Sequence, residues 1–224
     1  MANSVDTATP APAASDSPIG DAPSFLTPAR LKMLGIGAAI VAVAAVVVWF
    51  VITSGQRKEA FAAQALEQAR GTAEQGNIAD AVQQFEKVVE LYGGTSAAHE
   101  ATLGMAQARL VAGQNELAIS TLEEFLKANP PASYASPANG LLGTGYENVG
   151  RYDDAMAAYQ RAAEEADISY LKATLLLDAG RSAMLAGKSD AARGIYEKII
   201  ADYGDTPARS EAEVRLAELT AKPA

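Results

Sequence analysis

The chain has 224 residues, no cysteine, one histidine and a formal net charge of −9. The lack of cysteine removes disulfides, thiolate metal sites, thiol catalysis and any lipid anchor on a cysteine. With Asp6, Asp16, Asp21, Arg30 and Lys32 set aside, residues 56–224 retain a net −8, which repels phosphate and excludes nucleic acid as a natural partner class.

Residues 1–29 are rich in Ala, Pro, Ser, Thr and Asp, with almost nothing to bury. That composition predicts a disordered tail. Residues 30–55 hold a different kind of segment. From Met33 to Ile52 the sequence reads MLGIGAAIVAVAAVVVWFVI, without a charge. A helix of that length spans roughly 30 Å, the hydrocarbon thickness of a bilayer, and satisfies its own backbone in lipid. Trp49 and Phe50 lie near its far end, where aromatic rings favour the headgroup level. About thirty residues precede the run, and Thr53-Ser54-Gly55 is a poor cleavage site, so a retained anchor is expected rather than a removed signal peptide. Arg30 and Lys32 on one side balance Arg57 and Lys58 on the other, so charge alone chooses no orientation. Gly35/Ala39 and Ala38/Ala42 have the spacing of helix-dimer faces, which so alanine-rich a run also produces by accident.

Residues 56–224 are repetitive. Gly76, Gly113, Gly150 and Gly187 are spaced by 37 residues. Five residues after each stands Ala81, Ala118, Ala155 or Ala192. Nine after comes Phe85, Leu122, Tyr159 or Tyr196, and twelve after comes Val88, Phe125, Ala162 or Ile199. Seven before comes a small residue: Ala69, Ala106, Gly143 or Gly180. The tract at Tyr92 (YGGTSA) matches that at Tyr203 (YGDTPA), three periods on. The three later offsets share one helical face. The glycine suits a helix end at positive φ, and Asn77, Asn115 and Ser189 just after it offer side-chain caps for the next helix. Each unit therefore reads as helix, tight turn, helix. Stacked units bury a continuous core, and three or more are needed for stability. Pro207 to Leu219 reads as a terminal capping helix, with Ala208, Ala212, Leu216 and Leu219 on one face. Gly140, Gly143 and Gly145 crowd one predicted helix, which is thus short, mobile or closely packed.

This pattern resembles the tetratricopeptide repeat (TPR). The third unit matches best, at Leu142, Gly143, Tyr146, Gly150, Tyr152, Ala155, Tyr159 and Ala162, and the second adds Pro130 at the terminal proline. The motif's early large aromatic is replaced by Ala65, Thr102, Asn139 and Leu176, and the period exceeds the usual length of about 34. The expected architecture is all-α: one N-terminal transmembrane helix, then an α-solenoid of four TPR-like helix pairs and a capping helix. The layout of tail, span and acidic repeats resembles the YfgM-like ancillary subunits of the Sec translocon. That resemblance implies an inner-membrane anchor, a cytoplasmic tail, a periplasmic repeat domain and a chaperone-like role toward emerging chains. Carrying the repeat family's groove positions onto this chain implies a peptide-binding surface at Arg70, Glu74, Glu100, Gln107, Glu147, Asn148 and Arg181.

Other chemistry is sparse. Gly187-Lys188-Ser189 lacks the earlier glycine of a phosphate loop, since position 182 is Ser182, and Gly187 is the turn glycine. Gly35-Ile36-Gly37 lies in the span. His99 reads as a solvated residue without metal or catalytic partners, and pairs such as Glu123-Glu124, Asp153-Asp154 and Glu164-Glu165 point about 100° apart on a helix. No catalytic constellation, cofactor or metal is expected. The reading is a non-enzymatic membrane scaffold whose partners are other proteins, with no nucleic acid and no small-molecule substrate. A structural subunit or assembly factor of another membrane complex, or a regulatory subunit of an envelope enzyme, are the rival readings.

Overall fold

The computed structural model describes residues 28–221, and among them every element is a helix. These are α1 (Pro28–Glu74), α2 (Ile78–Tyr92), α3 (Ser96–Val111), α4 (Asn115–Lys127), α5 (Ala132–Asn148), α6 (Tyr152–Glu165), α7 (Ser169–Leu185), α8 (Ser189–Asp202) and α9 (Ala208–Thr220). The tail expectation falls almost wholly outside the described residues, and α1 already includes Pro28 and Ala29. The chain divides into two compact units between Ile52 and Thr53.

In the N-terminal unit, residues 32–52 of α1 bury no side chain. Trp49 is 65% exposed and Phe50 66%. By length and composition this is a helix able to cross a membrane.

In the second unit the helices pair in sequence order, each packing on its neighbour, with α3 also touching α5 and α7 touching α9. The hinge of every pair is its turn glycine, at φ between +72° and +83°, where a side chain would strain the backbone. The amide of Gly113 donates to the Leu110 carbonyl at 3.0 Å, and that of Gln114 to Arg109 at 2.8 Å. Gly150/Arg151 and Gly187/Lys188 repeat this double bond, the Schellman closure of a helix end. The side-chain caps expected from Asn77, Asn115 and Ser189 do not form. Asn77 makes no capping hydrogen bond, and Asn115 and Ser189 are already the first helical residues. The reason is geometric: the residue after each glycine also closes the previous helix, at ψ of 52–63°, away from the extended conformation that side-chain capping needs. A threonine cap appears instead between pairs. Thr95 Oγ1 accepts from the Ala98 amide at 3.1 Å and donates to the Tyr92 carbonyl at 2.8 Å. In the matching tract Thr206 Oγ1 donates to Tyr203 at 2.8 Å.

The repeated offsets are the core. The alanines five after each glycine are fully buried, and so are Leu122 and Tyr196 nine after, to within 1%. Each of these large side chains, buried from water, contributes roughly 1.5–3 kcal/mol. The small residue seven before the glycine makes room for it. A Cβ on Gly143 would lie 2.7 Å from the Tyr159 ring, and one on Gly180 would lie 2.4 Å from Tyr196. The glycines of α5 therefore mark close packing: Gly145 lies against Ile119 as well, and α5 is neither shortened nor broken.

The core is not continuous. Ala62 to Met105 form one cluster and Ala106 to Ala212 another, so the division falls within α3. The faces of α3 are built largely from Ala97, Ala98, Ala101, Gly104, Ala106 and Ala108, too small to join the two. At the other end α9 buries Ala208 and Ala212 and turns outward a polar surface bridged by Arg209–Glu213 at 2.8 Å and Arg215–Glu218 at 3.2 Å.

Replacing Gly180 by alanine forces the Tyr196 ring to shift. Overpacking of about 1–3 kcal/mol outweighs a helix-propensity gain of about 1, so a thermal melt followed by circular dichroism drops. Gly194→Ala in α8, where nothing lies within 4 Å of the added carbon, raises it.

Candidate functional site

A cleft of about 530 Å³ opens between α1 and α3. Its floor is Phe85, 3% exposed, and its walls include Leu103, Ile78 and Val111. Val111 is 70% exposed. Arg70, Glu74, Glu100 and Gln107 carry the polar side. Four of the seven groove positions expected from the sequence thus meet in one place.

At the floor of the cleft Gly104 lets α3 pack directly on the Phe85 ring. A Cβ there would sit 2.9 Å from Phe85, so a side chain would displace the ring. The same offset, nine before each turn glycine, holds Glu67, Leu141 and Asp178 elsewhere. Gly104, Leu103 and Val111 were missed from sequence, although the glycine is a visible departure once the units are aligned.

Arg70 is held in the rim. Its guanidinium reaches Glu67 at 2.7 Å and Glu100 at 2.5 Å. Its pKa is displaced upward: burial opposes the charge, and the two carboxylates more than restore it. Glu74 has neither an ion pair nor a hydrogen bond among the described residues, and neither does the Gln107 amide. Both are exposed.

The other three groove positions are spent on the protein itself. Glu147 accepts from Ser182 Oγ at 2.6 Å and from Arg181 Nη2 at 2.8 Å, with the Tyr159 hydroxyl at 3.4 Å. Its side chain is 15% exposed. Arg181 also contacts Asp178 at 3.1 Å. Burial pushes the Asp178 carboxyl up, and the neighbouring Arg181 pulls it back. This group braces α5, α6 and α7. Asn148 Nδ2 donates to Asn115 Oδ1 at 3.0 Å. His99 is not simply solvated. It is half-buried, edge-on to Phe125 at 5.6 Å and to Tyr134 at 4.9 Å between ring centroids. Of the acidic pairs, Glu123 accepts from the Tyr146 hydroxyl at 2.6 Å. Among the described residues no group of three or more His, Asp or Glu is placed to hold a metal.

The family model for a tetratricopeptide repeat-like domain matches residues 42–177, and a second tetratricopeptide repeat model matches residues 141–217. The first covers more than half of the sequence, and the chain belongs to the tetratricopeptide repeat-like domain family. Such repeats are typically non-enzymatic scaffolds that mediate protein–protein interactions. No curated protein matches the sequence. Among solved structures, it is similar to MamA 41-end from Desulfovibrio magneticus RS-1, at 22% identity over 62% of this chain and 73% of that one, TM-score 0.52. Nearly identical TPR-like repeats from Podosopora anserina align at 18% identity over 70% and 83%, TM-score 0.56. PilW, a type IV pilus biogenesis factor, aligns at 20% identity over 68% and 67%, TM-score 0.56. These likenesses carry the fold.

The buried tyrosines give the repeat unit an alkaline limit. Burial, with the bond to Glu123, raises Tyr146 from 10.0 to about 12, and burial beside Glu147 raises Tyr159 to about 12. The folded state therefore keeps protons that the unfolded state releases. Stability from these groups is fully present below pH 10 and is lost as pH rises toward 12. Urea melts across that window show the decline, and tyrosinate absorbance places both ionisations well above pH 10.

Proposed function

We propose that this chain is a membrane-tethered scaffold that holds other proteins through the inner surface of its repeats. The reading rests above all on the α1–α3 cleft, where an apolar floor and mixed polar rim converge on an exposed surface of a repeat built to bind protein. The seven groove positions serve it unequally: Arg70, Glu74, Glu100 and Gln107 face a partner, while Glu147, Asn148 and Arg181 hold the surface in shape. Met33–Ile52 is the tether, and residues 30–55 and 56–224 act as anchor and binding domain. Anchoring raises the effective concentration toward partners in the same membrane, so weak contacts suffice. The layout favours a bacterial inner membrane with the tail cytoplasmic and the repeats periplasmic, beside the translocon, where the domain engages emerging chains.

Crosslinking in native membranes followed by purification of the intact protein tests this. Translocon components and unfolded secretory chains are expected, and exchange of Met33–Ile52 for an unrelated span shows which part docks. Recovery of one unrelated complex at fixed stoichiometry overturns the translocon role. Recovery of no protein at all overturns the scaffold.

A further inference from the structure

The cleft carries more information than its existence, because its two free polar groups differ from its paired ones. We propose that the α1–α3 cleft takes an extended protein segment in which a large apolar side chain stands beside lysine or arginine, an inference that rests on the scaffold reading above. The apolar component follows from Ile78, Leu103 and Val111 on the walls. Phe85 is buried against Gly104 and closes the floor, the accessible apolar surface lies on the walls above it, and the volume of about 530 Å³ lies within the range of sites that enclose such groups. Val111, 70% exposed, extends the same surface outward and is covered when the anchor enters.

The basic component follows from charge. Arg70 is the cleft's cation, and Glu67 and Glu100 both hold it. That leaves the rim net negative, with Glu74 unpaired. Residues 56–224 carry net −8, but at physiological salt only charges within about 8 Å act strongly on a bound segment, so Glu74 and Glu100 set the preference. A basic residue next to the anchor gains Glu74 as its partner, and an acidic one meets repulsion. The Gln107 amide, unbonded within the protein, has both a donor and an acceptor for the segment's backbone. Corresponding surfaces in later pairs lack this combination. Leu141 stands where Gly104 does in the third pair, and in the fourth Asp178 takes that place and Arg181 pairs with both Asp178 and Glu147.

The test uses the full chain in lipid nanodiscs and fluorescein-labelled dodecapeptides read by anisotropy. One peptide has a Leu-Phe anchor flanked by lysines, a second the same anchor flanked by glutamates, and a third lysines around Gly-Ser. Saturable binding is expected of the first alone, weakening as salt rises. Glu74→Lys weakens it about tenfold, since an attraction becomes a repulsion. Val111→Ser weakens it by about as much through lost apolar burial. Both side chains are exposed, so unchanged thermal melts confirm that the variants fold. Equal binding of the glutamate peptide, full affinity in both variants, or no saturable binding of any peptide each overturns the proposal. Tight binding of the first peptide that neither variant alters moves the site elsewhere, for instance to the groove between α6 and α8 lined by Met156, Gln160 and Ile195, and leaves the scaffold reading standing. That reading falls only if the membrane crosslinking recovers no partner.

Discussion

The crossing of a large side chain over a small one, once per helix pair, is the contact on which the repeat unit depends. Nine residues after each turn glycine a bulky group enters the pair, and seven before it a small residue lets the facing helix approach. The two sizes move together. Tyrosines 159 and 196 face Gly143 and Gly180, while Phe85 and Leu122 belong to the pairs with Ala69 and Ala106. Interiors packed at this density leave no room for a methyl group in the wrong place. The turn must hold the register at which these groups meet, which explains a backbone-closed Schellman turn that asks nothing of neighbouring side chains.

The same rule of a small residue against a large ring recurs at the floor of the cleft. Where other units place Glu67, Leu141 or Asp178, the second places Gly104, and α3 packs directly on the Phe85 ring of the first pair. The split of the core within α3 has the same origin, since a helix faced with alanine and glycine cannot bridge the clusters on its two sides.

Much of the fold was legible because its signal is periodic. Five offsets in phase over four copies fix helix, turn and buried face together, and the apolar run at Met33–Ile52 announces itself by length. The caps were misread at Asn77, Asn115 and Ser189 because residue type signals a cap only when ψ is extended, and ψ is set here by closure of the preceding helix. The groove positions were legible as places on the repeat, not as free or paired groups. Repeat geometry indicates which positions face inward, but not which of them already have partners. Glu147 and Arg181 bond each other across 34 positions of sequence, and His99 lies between two rings contributed by other helices, relations that no local pattern encodes. Gly104 was overlooked for the opposite reason: its meaning lies in what the other units have in its place.

The central claim is that partners meet the repeats in the α1–α3 cleft. Its most direct test is a photoreactive form of the lysine-flanked apolar peptide, crosslinked to the full chain, with the adducts mapped by mass spectrometry. The account predicts adducts on Arg70–Glu74 of α1 and Leu103–Val111 of α3. Adducts confined to the groove between α6 and α8, or spread evenly over the surface, would contradict it.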